Sequence, residues 1–437
     1  MNRNNAEKTR FSVLNPKIGS DAKVPKASRL FPYYAGYSAN FADHLIASAN
    51  LKPEAIILDP WNGSGTTLLS AARQGFHGVG FDLNPVMVIV AKAGLLQSCE
   101  PADLINKGNL VLERAAAKLA EIQNDDPLLR WFAPSSVAQI RAVEQAINEL
   151  AFEQNRYTPL DHGTSLKCIP PMYAFLYVCL FRAIRNLLKD FIPSNPTWVK
   201  GPLTLANRKR PKQSQIASEF SDEICGLSNF ASKLSTPKAR NAIIDVELGN
   251  SENLLLQNES IDFILTSPPY CTRIDYAVAT SIELAVMRFS KEQFRELRNS
   301  LLGTSSIRNE KLELCNEWGS TCAAFLEQLY SHSSQASRGY YFKNHLQYFS
   351  ALYKSVLECT RVLRHSGNCV YVVQDSFYKD IHNDVATIVT EMFKLNGLNL
   401  VQKSNFSKNN SISVINARAK KYSAARKTVE TVLIFQK

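Results

Sequence analysis

Ala55-Ile-Ile-Leu-Asp-Pro-Trp-Asn-Gly-Ser-Gly-Thr-Thr67 decides the fold. Ala55 to Leu58 is a short apolar run, the pattern of a buried strand. Asp59-Pro60 ends it, because proline has no N–H to give to a ladder. Gly63 and Gly65 flank Ser64, and Thr66-Thr-Leu-Leu-Ser-Ala-Ala72 opens a helix. Strand, glycine loop and helix together make the ligand corner of an open α/β sheet. The glycines predict a backbone that comes close to a bound molecule. No lysine follows them, so the loop is not a P-loop, and the G-x-G-x-x-G dinucleotide pattern is incomplete. Asp59 at the strand end suits a cationic or amine-bearing ligand.

On the C-terminal side, Val79 to Phe81 reads as a second strand ending in Asp82. An acid there is the Rossmann-type arrangement. The alternative is an acid serving the next helix, which Asn84-Pro85 begins. On the N-terminal side, residues 1–30 are polar and basic and read as a loosely ordered arm. Phe31 to Ile46 crowds aromatics around a turn before a helix that starts near Ser38. From about 100 to 240 the pattern is helical, with Leu110 to Leu150 and the strongly apolar Pro170 to Leu188. A Pro-rich loop and the basic run Asn207-Arg-Lys-Arg-Pro-Lys212 follow. The block is far longer than a usual connection, which predicts an inserted helical subdomain.

The sheet resumes at Asn241 to Asn253 and continues into Ile261-Asp-Phe-Ile-Leu-Thr-Ser-Pro-Pro-Tyr270. Neither proline can donate to the ladder, and each pushes the preceding residue out of helical space. The strand therefore ends in an extended turn at the carboxyl edge of the sheet, where such folds place ligands. Ser267, the neighbouring carbonyls and the Tyr270 ring suit a flat, amine-bearing group: acceptors for its N–H bonds and a ring for its face. Cys271 reads as structural, and Arg273 and Asp275 as candidates for an ion pair that holds the loop. Residues 290–345 read as a second insertion over the substrate. A helix is expected to end at Arg361 to Gly367, with Gly367 as its cap or turn, before a fifth strand, Asn368 to Gln374. Leu398 to Gln402 and Thr431 to Phe435 read as the last two strands, and the loop between them is basic.

The chain has 437 residues, 45% hydrophobic and 20% charged, enough apolar mass for a large core. Its formal net charge of +11 favours a polyanionic partner over mere solubility. The nine cysteines are scattered without zinc spacing, so no metal is expected. No apolar run is long enough for a membrane span, and Met1 to Arg10 lacks a signal core, so a cytoplasmic setting is expected.

Asp59-Pro-Trp-Asn-Gly-Ser-Gly-Thr-Thr67 and Thr266-Ser-Pro-Pro-Tyr270 resemble the cofactor and catalytic motifs of S-adenosylmethionine-dependent DNA amino-methyltransferases. Ser-Pro-Pro-Tyr is typical of the cytosine-N4 enzymes and Asp-Pro-Pro-Tyr of the adenine-N6 enzymes. Trp61 stands in place of the usual Phe. Asn250 replaces an acid, and the cofactor motif comes first, whereas most cytosine-N4 enzymes of the beta arrangement have the reverse order. The resemblance covers 31–97 and 241–437. It implies a Rossmann-like α/β fold with a seven-stranded mixed sheet, a terminal reversed hairpin and a helical insertion. The division it suggests is a basic arm at 1–30, a cofactor half at 31–99, an insertion at 100–240 for nucleic-acid recognition, and a catalytic half at 241–437.

For the site, the resemblance assigns S-adenosylmethionine to Tyr33, Asp59, Pro60, Asn62, Gly63, Gly65, Thr66 and Thr67. Asp82 would take the ribose hydroxyls, and Asn250 and Ser251 would meet the adenine. Ser267, Pro268, Pro269 and Tyr270 would act on the amine of a flipped base. Double-stranded DNA is the implied partner, gripped by Arg208, Lys209, Arg210, Arg273, Lys420 and Lys421, with a cognate restriction endonuclease beside it. Adenine N6, a guanine amine in RNA, a glutamine amide in a protein, and a non-catalytic nucleic-acid-binding module remain open as alternatives.

Overall fold

The computed structural model describes residues 11–17, 30–32, 36–96, 99–117, 119–154, 156–161, 163–193, 198–231, 241–271, 274–308, 312–334, 336–407 and 428–437. Tyr33, Arg273, Lys420 and Lys421 lie outside them. The strands are β1 (Ile56–Asp59), β2 (His77–Asp82), β3 (Ile244–Leu248), β4 (Ile261–Thr266), β5 (Leu363–Gln374), β6 (Ser376–Tyr378), β7 (Ile381–Asn383), β8 (Asn399–Ser407) and β9 (Val429–Gln436). Seven of them form one sheet in the order β3-β2-β1-β4-β5-β9-β8. The first five in that order run parallel, and β9 lies antiparallel between β5 and β8. This is the expected mixed sheet with its reversed terminal hairpin. The chain moves outward from β1 through β2 to β3, then returns to β4 on the other side. The carboxyl ends of β1 and β4 therefore flank a topological switch point.

The helices are α1 (Ala39–Ser48), α2 (Thr66–Gln74), α3 (Pro85–Gly94), α4 (Pro101–Ala117), α5 (Pro134–Ala151), α6 (Gly163–Cys168), α7 (Pro171–Leu187) and α8 (Gln213–Ala231). After β4 come α9 (Tyr276–Ala279), α10 (Ser281–Val286), α11 (Lys291–Ser300), α12 (Ser320–Ser331), α13 (Phe342–Val362) and α14 (Val385–Leu395). Their starts follow local chemistry. Ser38 accepts from Phe41 N to cap α1, and Asn84 accepts from Val86 N ahead of Pro85 in α3.

One sheet face packs Ile57, Phe263, Leu265, Val370 and Val432 against α1 and α2. The other packs Leu58, Ile264, Tyr371 and Leu433 against α12, α13 and α14. The expected helical insertion exists, and α4, α5, α7 and α8 share one apolar cluster with α3 and α10. It is thus built onto the flank of the sheet beside the segment that follows β4.

Three expectations need correction. Gly367 does not cap a helix: α13 ends at Val362, and Leu363 already has extended backbone and starts β5. The kink falls at Ser366, with φ of 64°, and is absorbed by a register shift against β4 between Ile261 and Phe263. Residues 11–17 of the arm are seated, because Phe11 is buried against Phe263 and exchanges two backbone hydrogen bonds with the Gln402 side chain of β8. The antiparallel β6–β7 ribbon was not expected from the sequence.

Candidate active site

At the switch point lies a cleft of about 1330 Å³, solvent mouth included. It is lined by Asp59, Pro60, Asn62, Gly63, Thr66, Asp82, Asn250 and Ser251 on one side, and by Ser267, Pro268, Pro269 and Tyr270 on the other. The two motifs that lie about 200 residues apart thus face one space. Gly65 and Thr67 support the wall from behind and do not line it.

Asp59 is saturated by the protein. Its Oδ1 accepts from Thr266 Oγ1 (2.6 Å) and Trp61 N (3.1 Å). Its Oδ2 accepts from Thr67 Oγ1 (2.5 Å) and Tyr37 OH (3.3 Å). The carboxylate therefore ties the end of β1 to the end of β4, to α2 and to the segment before α1. Burial raises its pKa to about 6, against these hydrogen bonds, which lower it.

The glycine loop works differently from the sequence expectation. Asn62 N donates to Phe81 O, Gly63 N to Asp82 Oδ2 and Gly65 N to Asn62 O, each at 2.9 Å. Two of these amides tie the loop to the end of β2, and the third closes the loop on itself. Gly65 is required by its φ of 80° and because a Cβ there would stand 3.0 Å from Ala91 Cβ on α3. What the loop offers the cleft is a side chain. Asn62 is 4% exposed, and neither its Nδ2 nor its Oδ1 has a partner. A buried amide with both ends unpaired is costly, and a polar ligand in the cleft would satisfy it.

Asp82 accepts from Gly63 N (2.9 Å) and Asn84 N (2.8 Å), and burial raises its pKa to about 6. The carboxylate thus orders the start of α3 and also lines the cleft. Asn84 Nδ2 donates to Thr280 Oγ1 (2.9 Å), joining this corner to the segment after β4. Asn250 Oδ1 accepts from Glu252 N, and Ser251 Oγ meets Ser355 Oγ at 2.9 Å, so both are held at the rim by local bonds. An adenosine with an α-amino acid group matches this donor set: Asn62 amide, Asp82 carboxylate, and the Asn250–Ser251 rim.

On the opposite wall, Ser267 Oγ lies 2.9 Å from Val372 O of β5. A carbonyl can only accept, so the hydroxyl hydrogen is committed there and the oxygen keeps its lone pairs for another donor. Pro269 O accepts from Tyr348 OH on α13 (2.9 Å), and Tyr270 OH donates to Glu430 Oε1 on β9 (2.8 Å). Ser300, Leu301 and Leu302, at the end of α11, form a further wall. Asp275 caps α9 and pairs with Arg298 at 2.6 Å, which holds the loop after the motif as expected for the acid, with Arg298 as its partner. Cys271 is half-buried.

Sequence reading missed the polar ties behind this wall. Arg185 of α7 lines the cleft, pairs with buried Glu283 of α10 and lies 5.5 Å from the centre of the Phe31 ring. Arg141 of α5, fully buried, pairs with Asp126 at 2.7 Å and bonds the Ala285 and Val286 carbonyls at the end of α10. An arginine in an apolar helix was the available signal, but its partners on the segment after β4 are 94 to 145 residues away. The proposed phosphate contacts Arg208, Lys209 and Arg210 do not line the cleft. Arg210 is exposed, whereas Lys209 pairs with Asp190 at 2.5 Å and is partly neutralised.

Type II methyltransferases are among the known proteins to which the chain is similar. Type II methyltransferase M.BsoBI of Geobacillus stearothermophilus is 24% identical over 344 residues, 72% of this chain and 63% of that protein. The chain thus matches less than two thirds of that relative's length. Type II methyltransferase M.MvaI of Kocuria varians is 23% identical over 79% of this chain and 75% of its own, and M.AvaI of Nostoc sp. 21% over 85% and 79%. At this modest identity the chain is similar to type II methyltransferases. No family model matches the chain. A solved SAM-dependent methyltransferase of Methanosarcina mazei covers 90% of it and 96% of its own chain at 9% identity, with a TM-score of 0.29. Among the described residues no helix is long and apolar enough to cross a membrane, and no group of three or more His, Cys, Asp or Glu could hold a metal ion.

Proposed function

We propose that the chain methylates the exocyclic amine of a flipped DNA base, and that the base is cytosine, modified at N4. The observation that supports this most is the Ser267 hydroxyl, which lines the cleft beside the Tyr270 phenol and whose hydrogen is held by Val372 O, so that its oxygen can accept from a ligand. An exocyclic amine is a poor nucleophile because its own lone pair is conjugated into the ring. Ser267 and the carbonyls of the motif would accept its two N–H bonds and draw the nitrogen toward a tetrahedral shape. Serine, rather than an acid, at this position is the basis for cytosine over adenine.

S-adenosylmethionine, when bound, supplies an electrophilic methyl group. Asn62, Asp82, Asn250 and Ser251 would hold it, with Asp59 stiffening the floor. Tyr270 and Leu302 would enclose the base, which must leave the duplex at a cost of roughly a few kcal/mol. Positioning of two aligned reactants contributes effective molarities of about 10⁵ M or more. The basic surface would supply affinity for the phosphate backbone. The type II designation of the relatives extends the proposal to DNA modification beside a restriction endonuclease.

The test is incubation with labelled S-adenosylmethionine and unmethylated duplex DNA, then nucleoside mass analysis. N4-methylcytosine is the expected product. N6-methyladenine would move the base and keep the chemistry. Label found only in structured RNA would overturn the DNA substrate, and cofactor binding without transfer to any acceptor would favour a non-catalytic module.

A further inference from the structure

Glu430 lies near the start of β9, opposite Gln374 of β5, and is 6% exposed. Its Oε1 accepts the Tyr270 phenol at 2.8 Å, and its Oε2 has no partner among the described residues. A buried carboxylate with a free oxygen and no cation is a poor contributor to stability. The one group that it does engage belongs to the Ser-Pro-Pro-Tyr turn. Elsewhere around that turn Pro269 O accepts from Tyr348, and Gly303 packs so close to Tyr270 O that an added Cβ would come within 3.1 Å. The phenol–carboxylate bond, with the Ser267 hydroxyl beside it, holds the far end of the ring.

We infer that Glu430 is a positioning residue for the Tyr270 ring, setting the plane against which the flipped base is held. The inference rests on the reading of Tyr270 as the base platform. Tyr270 is the hydrogen donor in this pair, because burial and the Glu430 charge push its phenol pKa well above the usual range. A glutamine at 430 would keep a carbonyl acceptor for the phenol, whereas alanine or leucine would not.

The test is a double-mutant cycle in single-turnover methyl transfer at saturating DNA. Glu430→Ala and Glu430→Leu are expected to slow transfer by about 10- to 100-fold, the scale of a misplaced reactant, with cofactor affinity unchanged. Glu430→Gln is expected to stay within about 3-fold of wild type, and Glu430→Ala in a Tyr270→Phe background to add no further loss. Full multiplicative loss in that background, or no rescue by glutamine, would overturn the inference. A crystal structure of Glu430→Ala tests the same point without substrate. A displaced Tyr270 ring is expected, and a ring unmoved from its wild-type rotamer would refute the inference even if the wild-type chain methylates no DNA. Absence of any DNA methylation by wild type, with the ring displaced in the variant, would instead sink the functional reading alone.

Discussion

Asp59 and Asp82 carry the same shift for the same reason, burial, but they differ in what they can offer a ligand. Both have folded-state pKa values of about 6 against 3.8 when unperturbed. Between those values the ligand-free fold binds more protons than the unfolded chain, so each contribution to stability falls as pH rises through about 4 to 6. Asp82→Asn removes that dependence at one site, so in urea unfolding the variant should gain on wild type as pH rises from 4.5 to 7.5. Cofactor binding should run the other way. Ribose hydroxyls donate best to the ionised carboxylate, so affinity should weaken about 10-fold from pH 7.5 to pH 5 if only the ionised form binds. Calorimetric titration across that range checks it, and a flat profile would remove Asp82 from the ribose site. Residues at this scale were legible where the motif is local. Asp59, Asn62, Asp82 and Ser267 each sit at a strand end that a short apolar run announces. Glu430 and Arg185 were not, since each acts across more than 90 residues of sequence.

At the scale of elements, α10 is held from the helical flank. Arg141 neutralises Asp126 and bonds the last carbonyls of α10. Arg141→Leu would strand a nearly buried carboxylate and those carbonyls, and should destabilise the protein by about 3–5 kcal/mol, read by chemical denaturation. The α11 loop presses on the catalytic turn at Gly303, whose φ is 77°. Gly303→Ala combines left-handed strain with a crowded Tyr270 carbonyl. A stability loss of about 1–2 kcal/mol is expected, together with a transfer rate lower than that loss explains. The strands of the sheet could be read as apolar runs ending in acids or prolines. The β6–β7 ribbon could not, because three-residue strands carry no period. The kink at Ser366 was misread because a glycine follows it one residue later.

For the whole molecule, the net charge of +11 fits either solubility or a polyanion, and the Ser267-Pro-Pro-Tyr270 motif tips it toward a polyanion. Each phosphate neutralised should steepen the salt dependence of DNA binding by about 0.9 in log–log slope. Arg210→Ala should flatten the slope by about that amount if the basic 207–212 run touches DNA. Lys209→Ala should change it less, because Asp190 already holds that ammonium. Equal slopes for wild type and Arg210→Ala would place the DNA elsewhere. The helical flank was legible as an insertion from its length alone. Its fusion to α3 in one apolar cluster was not, since apolar faces do not state their partners.

The central claim is that one cleft holds S-adenosylmethionine against an amine gripped by Ser267. It is tested most directly by measuring cofactor affinity and methyl transfer to duplex DNA together, in wild type, Ser267→Ala and Asp82→Ala. Ser267→Ala should bind the cofactor as wild type does and transfer at least about 100-fold more slowly, and Asp82→Ala should lose affinity. Transfer undiminished in Ser267→Ala would contradict the claim.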